Sequence, residues 1–154
     1  MEIEKKYLVK NLPEDINKYE SVEIEQAYLC SDPTLRIRKK GPKYIFTYKN
    51  RVKGSDEKLC IADEIESEIS FDAYMHLFKK ADGWPIHKTR YMIPYDGYTI
   101  ELDVFHDNRE GLYLAEVEFM SVEDSRDFVP PDWFGEDVSG DIRYTNSYMS
   151  SHEK

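Results

Sequence analysis

The sequence has few cysteines, no long apolar run and no excess of positive charge. Two cysteines in 154 residues, Cys30 and Cys60, are too few for a disulfide framework, so we predict reduced thiols, with a single bridge as the less favoured alternative. The absence of a membrane-length apolar run and of a signal peptide predicts a cytoplasmic protein without a membrane partner. The net charge of -10 predicts no general nucleic-acid partner, because attraction to phosphate backbones is missing.

Common catalytic motifs are missing as well. The sequence contains no Gly-rich phosphate loop, no serine nucleophile elbow and no Cys/His dyad. The four histidines form no pair at zinc-ligand spacing; they are His76, His87, His106 and His152. The charged residues are therefore left as the carriers of any chemistry.

Alternation of polar and apolar residues runs through most of the chain. It predicts strands near 2–10, 22–30, 34–41, 43–51, 59–69, 85–95, 97–106 and 113–121. Helical spacing predicts helices over 70–82, over 122–128 and over 141–151, the first with Ser70 as its N-cap. With no repeat or linker, residues 1–154 are predicted to form one α+β domain dominated by antiparallel strands.

Most of these strands carry two like charges at positions i and i+2, which lie on the same face of a strand. Basic pairs are Arg36 with Arg38 and Lys88 with Arg90, and acidic pairs are Glu2 with Glu4, Glu64 with Glu66, Glu101 with Asp103 and Glu116 with Glu118. Alternation alone fits both an open sheet with a solvated face and a closed eight-stranded barrel with its charges inside and helices outside. The separation of bases and acids onto different strands favours an enclosed site, because buried charges require compensating ions.

The two kinds of charged strand suit two kinds of ligand. Paired carboxylates are preferred by hard cations such as Mg²⁺ or Mn²⁺, which often bridge carboxylates to substrate phosphates. Arginine matches phosphate oxygens with two parallel hydrogen bonds, and lysine acts as a compact point charge. The combination indicates metal-assisted phosphoryl transfer, in which positioning and charge neutralisation carry most of the rate.

The opening EIEKK resembles the ExExK motif of the CYTH superfamily, the triphosphate tunnel metalloenzymes. The resemblance continues in order, and over nearly the whole chain, through LRIRKKG, FTYK, EIESEI, HKTRY, ELDVF, GLYLAEVEF, VPPDWFGEDVSGD and RYTNS. It implies a closed eight-stranded antiparallel β-barrel, a tunnel with a charged interior. It also implies a divalent metal, Mg²⁺ or Mn²⁺, and hydrolysis of a triphosphate by a metal-activated water.

The resemblance also implies roles for individual residues. The metal ligands would be Glu2, Glu4, Glu116 and Glu118. The substrate-binding residues would be Lys6, Arg36, Arg38, Lys49, Lys88, Arg90 and Asp103. Lys6 would also be catalytic, together with Glu64 and Glu66.

Two positions depart from the pattern of the small bacterial group within the superfamily. Its members commonly carry Arg where this chain has Ala62, and Lys where it has Thr145. Two phosphate contacts are therefore expected to be absent, and Arg51 would restore one if its strand extends that far. The resemblance favours inorganic tripolyphosphate as the substrate. The alternatives are thiamine triphosphate hydrolysis, class IV adenylate cyclase activity, or a non-catalytic module that binds polyphosphate or an organophosphate.

Overall fold

The computed structural model describes residues 1–52 and 59–152, and at Cys60 only the backbone. Its nine strands are β1 (Glu2–Val9), β2 (Glu20–Cys30), β3 (Thr34–Lys40), β4 (Lys43–Arg51), β5 (Cys60–Glu68), β6 (Asp82–Tyr95), β7 (Tyr98–Phe105), β8 (Tyr113–Phe119) and β9 (Phe134–Asp137). The α-helices are α1 (Phe71–Phe78), α2 (Val122–Asp127) and α3 (Asn146–Ser151), and the short 3₁₀ helices are Ile16–Lys18, Asp107–Arg109 and Ile142–Tyr144.

The strands form one antiparallel sheet that closes on itself. Its order is β5-β4-β3-β2-β6-β7-β8-β1-β9, and an additional pairing of β5 with β1 completes an eight-stranded barrel. This closing pairing is short and joins Glu2, Ile3 and Glu4 of β1 to residues 60–62 of β5. The other half of the same β1 edge pairs with β9, which lies outside the eight-stranded ring. The predicted closed barrel is thus confirmed.

Two helices cover apolar residues on the outside of the barrel. Tyr74 of α1 is buried against Ala27 of β2 and Ile37 of β3. Phe128, directly after α2, packs its ring against Tyr7 and Phe119 in a second outer cluster. The outer face thus supplies most of the hydrophobic burial, and the inner face is left for other residues.

The inner face also holds an apolar cluster, formed by Ile86, Phe105, Leu114, Val138 and Met149. The first three come from β6, β7 and β8, and Met149 comes from α3. Helix α3 approaches the start of β6 so closely that a Cβ on Gly83 would lie 2.1 Å from the Ser150 carbonyl oxygen. Glycine is therefore required there, and the φ of +68° at Gly83 adds to that requirement.

Most predicted strands differ from the observed ones by one to three residues at an end, and the prediction differs from the structure more substantially in three places. Helix α1 begins after its N-cap Ser70, as predicted, but ends at Phe78, because two tight turns lead directly into β6 at Asp82. The predicted helix over 141–151 is divided into a 3₁₀ turn and α3. Strand β9 was not predicted, because it has only four residues and closely follows two prolines.

The structure bears on the predictions about the thiols and about the membrane only for the residues that it describes. Cys30 is a free thiol, as predicted, whereas the side chain of Cys60 lies outside what the structure describes. Among the described residues, no helix has the length and apolar character needed to cross a membrane.

Candidate active site

A cavity of about 860 Å³ occupies the charged part of the barrel interior. The predicted site residues that line it are Glu2, Glu4, Lys6, Arg36, Arg38, Lys49, Glu64, Glu66, Lys88, Arg90, Glu116 and Glu118. The one predicted site residue that does not line the cavity is Asp103. The structure therefore brings together side chains from six strands that alternation could only place on a common face.

One side of the cavity is an acidic wall formed by Glu2 and Glu4 of β1, Glu64 of β5, and Glu116 and Glu118 of β8. Strand β1 lies between β5 and β8, and Glu4 pairs directly with Glu118. Lys49 reaches this wall: its Nζ lies 2.6 Å from Glu2 Oε1, 3.7 Å from Glu4 Oε1 and 3.9 Å from Glu64 Oε2. Lys49, predicted to contact phosphate, is thus engaged by the carboxylates.

The acidic wall is not evenly neutralised. Burial and the charge of Glu116 raise the pKa of Glu4 to about 7, and burial and the charge of Glu2 raise the pKa of Glu64 to about 7. Burial also raises the pKa of Glu116, but the charges of Lys6 and Arg90 more than offset it and hold that pKa well below its usual value. Glu4 and Glu64 are therefore compensated by less positive charge than Glu116 is.

The opposite side is a basic wall formed by Arg36 and Arg38 of β3 and Lys88 and Arg90 of β6. Arg38 Nη2 lies 3.2 Å from Glu66 Oε2, and Arg36 Nη2 donates to Thr47 Oγ1 at 3.3 Å. The Nε atoms of both arginines are buried without a hydrogen-bond partner in the described part of the chain. Burial and the charges of Arg36 and Arg90 lower the pKa of Arg38 to about 10. The Nε–H donors of Arg36 and Arg38 are therefore available to a ligand, and the positive charge of this wall is not fully compensated.

Asp103 lies behind the basic wall and holds two of its cations. Its carboxylate is fully buried, 2.8 Å from Lys88 Nζ, and accepts from Arg90 Nε at 2.7 Å and from Arg90 Nη2 at 3.0 Å. Arg90 also donates to Glu101 at 2.8 Å. Burial lowers the pKa of Lys88 to about 8 despite the nearby Asp103 charge. The position of Asp103 suits fixing Lys88 and Arg90 rather than contacting a ligand.

The C-terminal segment completes the cavity. Lys6 Nζ lies 3.4 Å from Glu116 Oε1 and donates to the Tyr144 carbonyl at 2.9 Å. Lys88 Nζ donates to Asn146 Oδ1 at 3.2 Å. The backbone and an amide of this segment therefore orient two lysines of the site, which no periodic pattern in the sequence indicated.

The carboxylates of the acidic wall fit a divalent cation by their chemistry. As placed, no three Asp, Glu, His or Cys side chains in residues 1–52 and 59–152 converge closely enough to hold a metal ion. Glu4 is nevertheless a largely buried acid whose ionised form is disfavoured, and Lys49 lies close to the same carboxylates. A hard cation among Glu2, Glu4, Glu116 and Glu118 would relieve that repulsion with the oxygen ligands it prefers.

Comparison with known proteins agrees with this geometry. No family model matches the chain. An inorganic triphosphatase of Nitrosomonas europaea is 37% identical, over 97% of this chain and 96% of its own length. A second inorganic triphosphatase, from Acetivibrio thermocellus, is 33% identical over 96% of this chain and 92% of its own.

Solved structures show the same architecture. A crystal structure of an inorganic triphosphatase has a TM-score of 0.71 and 33% identity, and the match covers 99% of this chain and 95% of that one. The chain belongs to the inorganic triphosphatases of the CYTH superfamily. At 19% identity and a TM-score of 0.62, a putative adenylyl cyclase from Hippeastrum with a dominant triphosphatase activity shares the fold, over 82% of this chain and 83% of its own.

The two departures from the CYTH pattern both face the cavity. Ala62 is buried beside Glu2 at the β1–β5 closure, and Thr145 uses its hydroxyl to cap α3 by accepting from the Tyr148 amide. Both line the cavity without adding a cation. Strand β4 does extend to Arg51, which lines the cavity and pairs directly with Ala62. The predicted condition for Arg51 to replace one missing charge is therefore met.

Three further residues of this CYTH site were not assigned from the sequence, although all line the cavity: Tyr28, Lys40 and Glu101. Lys40 continues the alternation of Arg36 and Arg38, and Glu101 continues that of Asp103, so the same pattern could have found both. Tyr28 had no such pattern, because the charged residues nearest to it on β2, Glu23 and Glu25, lie on the outer face.

Proposed function

We propose that this protein hydrolyses inorganic tripolyphosphate to pyrophosphate and orthophosphate with the help of Mg²⁺ or Mn²⁺. The observation that carries the proposal is the pairing, across one cavity, of a basic wall with unused guanidinium donors and an acidic wall short of cations. Membership of the inorganic triphosphatases supports the same substrate class. A cytoplasmic location and a single domain over residues 1–154 remain predictions.

The basic wall would hold the phosphate chain. Arg36 and Arg38 offer their unpartnered Nε–H groups and part of their terminal amino groups. Lys88 and Arg90 face them from β6, fixed by Asp103. Because these cations come from two separate strands, they suit a polyanion several phosphates long better than a single phosphate.

Glu2, Glu4, Glu116 and Glu118 would hold the metal ion, which when bound supplies Lewis-acid polarisation and neutralises charge on the phosphoryl oxygens. A water oxygen attacks the terminal phosphorus, the bond to the bridging oxygen breaks, and orthophosphate separates from pyrophosphate. Glu64, whose pKa is raised to about 7 by burial and by the charge of Glu2, would accept the proton of the attacking water on its carboxylate.

Two other residues would assist this step. Lys6 would stabilise the charge that develops on the leaving pyrophosphate. Its ammonium group is held by the Tyr144 carbonyl and by Glu116. Glu66 accepts from Arg38 and Thr47, so it would fix the arginine beside the substrate.

Phosphate release from tripolyphosphate, ATP, thiamine triphosphate and pyrophosphate, measured with Mg²⁺, with Mn²⁺ and with EDTA, tests the proposal. We expect the highest kcat/KM for tripolyphosphate, and we expect no phosphate release in EDTA. Pyrophosphate should be a poor substrate, because it leaves part of the basic wall unpaired and forfeits the binding energy that orients the reacting phosphate.

The alternative results would each contradict part of the proposal or indicate a different function. A kcat/KM for pyrophosphate equal to that for tripolyphosphate would contradict the extended site. Preference for thiamine triphosphate would assign that activity instead, and cyclic AMP formed from ATP would assign cyclase activity. Retention of tripolyphosphate without any phosphate release would assign a binding module.

A further inference from the structure

Arg109 lies in the short 3₁₀ helix between β7 and β8, outside the residues that line the cavity. Its guanidinium reaches the C-terminal end of α3, where Nη2 donates to the carbonyl oxygens of Met149 at 3.1 Å and of His152 at 2.5 Å. The last carbonyl groups of a helix have no partner within the helix, so a side chain that donates to them caps its end. Arg109 thus ties the far end of α3 to the barrel.

The surroundings of Arg109 make this contact a strong one. Within residues 1–52 and 59–152 no carboxylate forms an ion pair with Arg109, and its Nε is buried without a hydrogen-bond partner. The carbonyl oxygens that it does contact lie at the negative end of the helix dipole. A hydrogen bond from a charged donor is stronger than a neutral one, and withdrawal from water strengthens it further.

The opposite end of α3 contacts the charged cavity. Asn146 is the first residue of the helix, and its Oδ1 accepts from Lys88 Nζ at 3.2 Å. Tyr144, just before the helix, accepts from Lys6 Nζ at 2.9 Å through its carbonyl oxygen. A helix of six residues is only about 9 Å long and moves as one piece. The seating of its C-terminal end therefore affects where these two acceptors lie.

Other contacts hold the middle of α3. Met149 packs in the apolar cluster of the barrel interior, and the Ser150 hydroxyl donates to the Trp84 carbonyl at 2.8 Å. Apolar packing is not directional, so it fixes the depth of the helix better than its orientation. Loss of the Arg109 contact should therefore loosen the seating of α3 without unfolding the barrel.

We propose that Arg109 is a positioning residue for the reaction: by docking the C-terminal end of α3, it sets where Asn146 and the Tyr144 carbonyl hold the two lysines. Arg109 does not contact the substrate and acts only through α3. This inference rests on the proposed function for the reaction that the lysines serve. It adds to that function a residue from outside the cavity.

The test compares the wild type with Arg109→Met, Asn146→Ala and the double variant. Methionine keeps an unbranched apolar chain in place of the arginine stem and removes every donor. Phosphate release from tripolyphosphate with Mg²⁺ gives kcat/KM, and calorimetry in EDTA gives the Kd. Arg109→Met should lower kcat/KM about 10-fold, because small displacements of positioning groups have effects of this size or larger. Arg126→Met, which removes an exposed arginine from α2, is the matched control and should change neither quantity.

The double variant separates positioning from stability. Arg109 and Asn146 lie at opposite ends of α3, so independent effects on kcat/KM would multiply. If Arg109 acts through α3, Arg109→Met should cost only about 3-fold in the Asn146→Ala background, where the Tyr144 contact alone remains to be disturbed. A purely structural role would lower the Tm and leave kcat/KM unchanged below it. That result, or the full product of the two single losses, would overturn the inference.

Hydrogen exchange adds a measurement that needs no substrate. The amides of α3 should exchange faster in Arg109→Met, whereas those of β7 and β8 should keep their protection. Unchanged protection of α3 would contradict the docking role. If the wild type binds tripolyphosphate but releases no phosphate, hydrolysis is wrong, and the Kd values of the same four proteins decide the role of Arg109. If the wild type does not bind tripolyphosphate even with Mg²⁺, both proposals fail.

Discussion

The inner faces of β6, β7 and β8 are used in two ways along their length. Lys88, Asp103 and Glu116 belong to the charged part of the interior, whereas Ile86, Phe105 and Leu114, each two residues away, belong to the apolar cluster. A step of two residues keeps a side chain on the same face. The alternation along a strand therefore determines only whether a side chain points into or out of the barrel. Position along the barrel decides whether a residue serves ligand binding or packing.

If this division holds, removing a proposed metal ligand from the charged part should alter activity far more than stability. The largest effect is expected for Glu4→Gln and Glu116→Gln, because each removes a proposed metal ligand. Loss of such a ligand should lower kcat/KM by roughly a thousand-fold, equivalent to about 4 kcal/mol. Phosphate release measures this, and circular dichroism checks that both variants are folded. Glu136→Gln, an exposed change on β9, is the matched control, and full activity in either interior variant would refute the metal assignment.

The apolar cluster should show the reverse. Leu114→Ala deletes a side chain packed with Phe105 and Met149 and should lower the free energy of unfolding by about 3 kcal/mol. Below its melting temperature the variant should keep the kcat/KM of the wild type. Denaturant unfolding and the phosphate assay measure the two quantities. Ile65→Ala, an exposed change on the outside of β5, should have little effect on either. Loss of activity in folded Leu114→Ala would show that the division is not as sharp as the structure indicates.

Two arginines of the basic wall sharpen the comparison within the charged part. Arg38→Ala and Arg90→Ala should each weaken tripolyphosphate binding by about 1.5–3 kcal/mol, because a charge-assisted contact is lost. Only Arg90→Ala should also lower the Tm markedly, since it leaves the buried Asp103 with one cation fewer.

The controls for these arginines are Lys39→Ala, from the outer face of the same strand as Arg38, and Lys79→Ala, after α1. Calorimetry and thermal unfolding of all four variants measure the two effects. Equal Kd values throughout would mean that the basic wall is not an anion site.

The smallest effects concern the stability of the metal-free protein. Substitutions of Glu4 and Glu116, two acids of the same wall, should change the free energy of unfolding in opposite directions. The pKa of Glu4 is raised from 4.5 to about 7, so the folded state loses stability as the pH rises through that interval. Glu4→Gln should therefore raise the free energy of unfolding at pH 8, by about 1–2 kcal/mol, and the gain should shrink toward pH 4.5.

Glu116 has a depressed pKa, so its charge stabilises the fold above its ordinary pKa, and that contribution is lost only as the pH falls through the depressed value. Glu116→Gln should accordingly lower the free energy of unfolding at pH 8. Urea unfolding in EDTA at several pH values measures both changes. Shifts of the same sign in the two variants would contradict the uneven neutralisation of the acidic wall.

The sequence was sufficient for the strands and for most of the site because both depend on local periodicity. Arg36 and Arg38, or Glu116 and Glu118, must share a face whatever the rest of the chain does. The resemblance to the CYTH superfamily then selected the closed barrel over the open sheet, which alternation had left undecided.

What the sequence could not supply depends on contacts between distant segments. The engagement of Lys49 by Glu2 and Glu4, and the placement of Asp103 behind Lys88, follow from strand register and tilt rather than from spacing. The role of residues 142–151 arises where α3 docks beside Gly83. Tyr28 escaped notice because a neutral residue on an inner face looks the same in sequence as a core residue.

The short closure of the barrel has a consequence for the order of folding. Strand β1 is made first, yet its full-length partner is β8, and its contact with β5 covers only residues 2–4. A nascent chain that has emerged only as far as β7 can form the β2–β7 portion of the sheet. Most residues of β1 then still lack their pairing partners, because those partners lie on β8. Non-local pairings of this kind come late. Glu4 and Glu118 meet in that final step, so the proposed metal site comes into being only when the ring closes.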